Sequence, residues 1–335
     1  MGRRFSLTIP ARLRSWTQPR IGRLAHHEPK PLRVPAWYLE TRSPSQAPTI
    51  TIVTPSYQHG RFLDRTIYSV VGQEYPALEY VVQDGGSSDQ TLEVLRRFDG
   101  LLTRWASEED SGQADAINRG FRETTGEIMA WLNSDDLLLP GSLAYVAHFF
   151  VAHPEADVVY GHRLMINEND GEIGAWVLPR HDDLALTLED FVPQETLFWR
   201  RRLWEAVGGR VDPGFEYALD WDLLLRFREV GANMVRLPRY LGAFRVHDAQ
   251  KTTVSHGLGL DECARLRQRV HGRNLSIEEV QERKTPYLLR HLLIHTRQRL
   301  VDQLVRRVPV VTVPSEPWLR TRSAERKHSV SSSAT

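Results

Sequence analysis

Apolar runs of strand length alternate with segments of helical period over more than a hundred residues of this chain. "PTITIVTPSY" (48–57) is β-rich and ends in turn residues. Phe62, Leu63, Ile67, Val70 and Val71 then recur at helical spacing, and "LEYVVQDGGSSD" (78–89) is a second apolar run broken by Gly-Gly. Leu92, Val94 and Leu95 predict a helix, "LTRWASE" (102–108) a strand, and "GQADAINRGFRETT" (112–125) a helix. "EIMAWLNSDD" (127–136) predicts a strand, Pro140 to His153 a helix, and "DVVYGHRLMI" (157–166) a further strand. This alternation implies βαβ units, hence an α/β fold with a Rossmann-like, mostly parallel sheet flanked by helices. Four regions are expected: a basic N-terminal arm or linker (1–47), an α/β domain (48–255), a helical C-terminal extension (256–310) and a disordered tail (311–335). Within the extension, Leu289, Leu293, Leu300 and Leu304 share a helical face. That face is expected to pack on the domain, with attachment to anionic lipid as the alternative.

Charge and cysteine content narrow the function. Acids and bases nearly cancel at a formal net charge of +1, so nothing global points to nucleic acid. Bases gather at the ends: Arg3, Arg4, Arg12, Arg14, Arg20, Arg23, Lys30 and Arg33 face the single acid Glu28, and a peripheral membrane contact through these basic termini is one expectation. Cys263 is the only cysteine, which excludes an intramolecular disulfide and a cysteine metal cluster. No apolar run is long enough to span a bilayer. The expected location is cytoplasmic, with the inner face of the membrane as the place of any lipid contact.

Chemistry concentrates at the strand ends. In open α/β sheets, ligands bind outside the carboxyl ends of the strands, where "TPSY" (54–57), "QDGGSSD" (83–89) and "NSDD" (133–136) fall. The adjacent acids Asp135 and Asp136 repel unless a cation neutralises them. A divalent ion, Mg²⁺ or Mn²⁺, bridging carboxylate and substrate phosphate suits such a place. No G-x-x-x-x-G-K-[ST] loop is present, nor G-x-G-x-x-G after the first strand, which removes the main support for ATPase and dinucleotide-dehydrogenase readings.

The ordered series "IVTPSYQHGRFLDRTIYSVVGQEYP", "VVQDGGSSDQT", "SGQADAINRGF", "GEIMAWLNSDDLLLPGSL", "ALDWDLLLRF" and "FRVHDAQKT" resembles the family 2 glycosyltransferases of the GT-A fold over roughly residues 48–250. The resemblance implies an inverting transfer from a UDP-, dTDP- or GDP-linked sugar to a hydroxyl of a saccharide or lipid-linked acceptor, in cell-surface polysaccharide or glycoconjugate biosynthesis. It implies that Thr54, Pro55, Ser56 and Tyr57 line base and ribose, that Asp84 meets the base, and that Gln113, Asn133, Ser134 and Asp135 complete the nucleotide-sugar site. Gly85 stands where the family pattern carries a second acid, and Asn133 where its D-x-D begins, which leaves the base open and Asp135 as the metal ligand. His247 is the expected second ligand, Asp136 an outer-shell or structural acid, and Gln250, Lys251 and Thr252 part of a loop over the diphosphate. Gln194 and Glu195 are expected to face the acceptor, and Trp199 and Trp204 to lie in the core or the acceptor shelf. Asp220 falls on the catalytic-base position. Asp222 diverges from it by about 200° on a helix and is assigned an outer role. Two rivals are a sugar-phosphate nucleotidyltransferase, for which only Arg61 offers a basic phosphate contact after the first strand, and a non-catalytic nucleotide-sugar-binding subunit, which Asn133 and Leu219 make conceivable.

Overall fold

A computed structural model describes residues 19–248, 250, 256–304 and 309–313. The basic residues before 19, Lys251 and Thr252, and the tail from 314 lie outside the described residues, as do the side chains of Leu300 and Leu304.

The strands are β1 (Arg33–Pro35), β2 (Ile50–Ser56), β3 (Leu78–Asp84), β4 (Arg104–Ser107), β5 (Ile128–Trp131), β6 (Leu137–Leu138), β7 (Val158–Ile166), β8 (Glu172–Trp176), β9 (Phe198–Arg200), β10 (Met234–Arg245) and β11 (Val310–Thr312). The helices are α1 (Gly60–Val71), α2 (Thr91–Phe98), α3 (Gln113–Phe121), α4 (Ser142–Ala152), α5 (Asp183–Leu186), α6 (Arg201–Ala206), α7 (Leu219–Glu229), α8 (His256–His271) and α9 (Ile277–Leu304). One sheet carries the order β4-β3-β2-β5-β9-β7-β10-β6, with β8 added to β7. Parallel ladders join β2 to β3 and β5, β3 to β4, and β7 to β10, whereas β9, β8 and β6 insert antiparallel. Every residue of β2 is buried, as a strand covered by helices on both faces requires. Helix α3 comes so close to it that a Cβ on Gly120 would lie 2.4 Å from a Val53 methyl.

Register places the strand ends together. Ser56 pairs with Asp84, and Asp84 with Ser107, so the loops after β2, β3 and β4 leave one rim side by side. Residues 132–136 then run from the end of β5 to β6, which lies beyond β9, β7 and β10 in the sheet. A segment that short, with a turn in it, makes the crossing only because the sheet curls back on itself. The end of β10 thereby comes up against the connection carrying Asp135 and Asp136.

Residues 19–47, expected as arm or linker, lie against the domain. Lys30 and Glu172 exchange backbone hydrogen bonds of 3.0 and 2.8 Å. Leu32, Val34 and Tyr38 are buried in a second apolar cluster with Leu137, Leu139, Leu164 and Ile166. β1 pairs with β11, so residues 311 and 312 of the expected disordered tail form part of a strand. The helical extension departs from its expected packing face: Leu289 and Leu293 are 56% and 71% exposed, while Tyr287 and His291 are buried. No helix of the described residues is long and apolar enough to cross a membrane.

His291 locks the arm to α9. Its Nε2 accepts the N–H of Arg20 at 3.1 Å and of Ile21 at 3.3 Å, while Nδ1–H donates to Val177 O at 2.9 Å. Burial, with Arg20 close by, brings His291 down to about 4, and burial brings His26 to the same range. A histidine held below its unfolded value of about 6.5 stabilises in its neutral form, so this contribution is complete above that value and is lost as pH falls toward 4. His291 alone should cost about 2 kcal/mol between pH 7 and pH 5, from its shift to about 4. Melting curves across that range should fall for the wild type and fall by a smaller amount in His291→Gln, where His26 still contributes.

Candidate active site

The two acids of "NSDD" divide into different roles. Asp136 is 1% exposed, and its Oδ1 accepts the Arg245 N–H at 2.9 Å. Burial, then the nearby Asp135 and Glu195 carboxylates, push its carboxyl well above the ordinary range. Thr66 Oγ1 lies 2.8 Å from the carbonyl oxygens of both Ser134 and Asp136, and Arg245 Nε donates to Asp135 O at 2.7 Å. Arg245 is itself held 2.7 Å from Asp170 and over the Phe62 ring, 4.8 Å from its centroid. The turn is therefore fixed from three sides, and Asp135 is the acid that remains at the surface of the site.

Asp135 meets two histidines. His247 Nε2 lies 3.0 Å from Asp135 Oδ2, and one ligand atom each from His59, Asp135 and His247 fall within 4.8 Å of one another. Burial works against the Asp135 charge, but the His247 hydrogen bond and the neighbouring His59 hold its carboxyl below the usual value. His59 precedes α1, and its Nδ1 lies 2.8 Å from Ser134 Oγ. Two imidazoles and a carboxylate at this separation fit a first-row divalent ion such as Mn²⁺ better than Mg²⁺, which prefers oxygen ligands throughout. His59 is absent from the sequence-derived set. The signal available was only a histidine at the end of the first strand's loop.

On the nucleotide side the four residues of "TPSY" separate. Thr54 is 0% exposed with its hydroxyl 3.0 Å from Tyr80 OH, and Pro55 is buried in the strand, so neither lines the site. Ser56 keeps a buried hydroxyl with no partner among the described residues, and Tyr57 is 62% exposed. Gln113 Nε2 donates to Asn133 Oδ1 at 2.8 Å, which joins the start of α3 to the end of β5. Ser134 is 2% exposed. Asp84 departs from its expected role as a base contact. It is 0% exposed and accepts from Ser87 N–H (2.9 Å), Ser87 Oγ (2.6 Å) and Ser107 Oγ (2.6 Å), which ties the loop after β3 to β4.

The acceptor-side expectations are corrected in the same way. Glu195 has a fully buried side chain in a bidentate pair with Arg163, at 2.8 and 2.5 Å, and so faces a guanidinium rather than an acceptor. Arg163 is held between the Trp176 and Phe244 rings, at 4.8 and 4.5 Å. Gln194 is also buried, its Nε2 donating to Trp131 O at 2.9 Å. Trp199 and Trp204 belong to the core. Asp220, half-buried in the first turn of α7, stays available. Burial raises its carboxyl to about 6, against the opposing pull of the Trp221 N–H and Arg163. The field of the Arg163–Glu195 pair reaches both Asp220 and Asp136, which links the two sides of the site. Asp222 points away: it is 0% exposed, 2.8 Å from Arg226 and 2.5 Å from Arg269.

Comparison with known proteins bears on this rim. The family model described as glycosyl transferase family 2 matches residues 51–202. A PGL/p-HBAD biosynthesis glycosyltransferase of Mycobacterium bovis is 31% identical over 184 residues, which span 54% of this chain and 70% of the relative. The structure of S. aureus TarS 1–349 in complex with UDP-GlcNAc superposes with a TM-score of 0.55 at 17% identity, covering 77% of this chain and 76% of that one. The chain spans 43% of the longer TarS chain. The mannosyltransferase PcManGT of Pyrobaculum calidifontis, in complex with GDP-Man and Mn²⁺, gives a TM-score of 0.52 at 18% identity over 93% of this chain and 87% of that one. These likenesses carry the GT-A fold, and with the sequence matches they place the chain: it belongs to glycosyltransferase family 2 and is a glycosyltransferase.

Proposed function

We propose that the protein transfers a sugar, with inversion, from a nucleotide-diphosphate sugar to a hydroxyl of a saccharide or lipid-linked acceptor in cell-surface glycoconjugate biosynthesis. The observation that carries this reading is the cluster of His59, Asp135 and His247, together with a half-buried Asp220 whose carboxyl is raised to about 6 and which feels the same Arg163–Glu195 pair as Asp136 beside that cluster. Asp220 takes the acceptor proton as the oxygen attacks the anomeric carbon, and does so in its ionised form. Asp135, His59 and His247 would hold a divalent cation, which supplies neutralisation of the charge that develops on the leaving diphosphate. The exposed Tyr57 offers a ring face to the base, and the Gln113–Asn133 pair offers polar groups to the sugar-nucleotide. No covalent enzyme intermediate enters the scheme, because the diphosphate already leaves well.

The rivals lose ground on specific contacts. Arg61, the one basic group a nucleotidyltransferase reading could use after β2, pairs with Glu168 at 2.7 Å. A non-catalytic subunit is disfavoured because His59 restores a third ligand where Asn133 withdrew a charge. The relatives support the direction: one is named for PGL/p-HBAD biosynthesis, and the two superposed structures hold UDP-GlcNAc and GDP-Man. A thermal-shift screen of nucleotide-sugars with and without Mn²⁺ tests the proposal. The cognate donor should raise the melting temperature only with the ion, the stability gained being RT ln(1 + [L]/Kd), about 2.7 kcal/mol at a hundredfold excess over Kd. No shift with any donor under either condition overturns it.

A further inference from the structure

We propose that Asp110 is the residue that selects the nucleotide base, and that it selects bases presenting a ring N–H: uracil, thymine or guanine over cytosine or adenine. The inference rests on the nucleotide-sugar reading above and assigns a specificity-determining residue within that site.

Three observations carry it. Asp84, the acid that the sequence pattern puts forward for the base, is fully buried, and its oxygens are taken by Ser87 and Ser107. Gly85, the next residue, has no side chain, and the space a side chain would fill is occupied by another carboxylate: a Cβ at Gly85 would lie 2.8 Å from Asp110 Oδ2 and 3.1 Å from its Cγ. The loop after β4 thus delivers an acid to the place from which the loop after β3 has withdrawn one. Gly86, at φ +80°, permits this approach, because a Cβ there would stand 3.3 Å from the Glu109 nitrogen.

Asp110 is also armed for recognition. Its Oδ1 accepts the Gly112 N–H at 2.8 Å, which orients the carboxylate, while Oδ2 takes no hydrogen bond among the described residues. The residue is half-buried. Gly85 N–H donates to Ser56 O at 2.9 Å, so Asp110 stands beside the strand end that carries the exposed Tyr57. A ring presented to Tyr57 brings its polar edge toward an acceptor-only group. Uracil, thymine and guanine offer that group an N–H. Cytosine and adenine present a ring nitrogen lone pair at the same edge, which repels the carboxylate and leaves only their exocyclic amine to donate, so they bind less well.

The test is titration of the full chain, with Mn²⁺ present, against UDP, dTDP, GDP, CDP and ADP, for wild type, Asp110→Asn and Asp110→Ala. Circular dichroism and melting serve as fold controls. Wild type should bind at least one of UDP, dTDP or GDP on the order of 10- to 100-fold tighter than CDP and ADP. An amide both donates and accepts, so Asp110→Asn should narrow that ratio to about threefold, partly through a gain for CDP. Asp110→Ala should weaken the preferred nucleotide without any gain for CDP. Equal wild-type affinity for all five, or a loss in Asp110→Asn that is uniform across them, overturns the assignment and leaves the nucleotide-sugar reading standing. Failure of wild type to bind any nucleotide overturns both.

Discussion

Asp220→Asn should lower kcat on the order of 10²–10⁴ while donor and Mn²⁺ binding stay near wild type, because the amide keeps the size of the side chain but cannot take a proton. Wild-type kcat should be full above the raised value of about 6 and fall as pH drops through it, since only the ionised carboxylate can act as base. Asp222→Asn supplies the contrast. That side chain is fully buried and held by the partly exposed Arg226 and Arg269, so its loss should appear as stability, roughly 1.5–3 kcal/mol, the usual scale for a hydrogen bond to a charged group. Turnover, Mn²⁺ titration and melting curves on the two variants separate these outcomes. Loss of turnover in Asp222→Asn at unchanged melting temperature, with Asp220→Asn active, would move the base to Asp222 and reverse the register of "LDWD".

Asp135→Ala should remove Mn²⁺-dependent transfer and weaken Mn²⁺ binding on the order of 10²–10³, since it deletes the only carboxylate of the three-residue set. The fold should persist, because the Asp135 side chain contacts His247 rather than the core. His59→Ala should resemble it in kind, with a smaller loss, and isothermal titration with Mn²⁺ reads both variants without requiring an acceptor. Mn²⁺ affinity within twofold of wild type in both would show that these groups do not seat the ion.

The parallel strands β2, β3, β5 and β7 were legible in the linear pattern, because each is centred on an apolar run and the helices between them repeat apolar residues at helical spacing, both short-range properties. β10, parallel to β7, was not read from the pattern. The divergence of Asp220 and Asp222 followed from helix geometry alone, and Asp222 is buried away from Asp220. Partnership was another matter. His59 meets Ser134 across 75 residues and His247 meets Asp135 across 112, and no spacing rule reaches that far. Those contacts exist because the sheet curls and brings β6 and the end of β10 back over the start of α1.

Burial, likewise, is decided by neighbours. A sequence reads Asp84 as an acid at a strand end, where it is, and Glu195 as an acid facing the acceptor, but only packing shows that two serines consume one and Arg163 the other. The helix α9 carries more than one plausible face. Its leucines 289 and 293 formed the apparent one, yet the face around Tyr287 and His291 packs, since His291 can satisfy the amides of Arg20 and Ile21 and a leucine cannot. Apolar periodicity sets which elements form; hydrogen-bond satisfaction across the fold sets which face is covered, which acid is spent and which is left for chemistry.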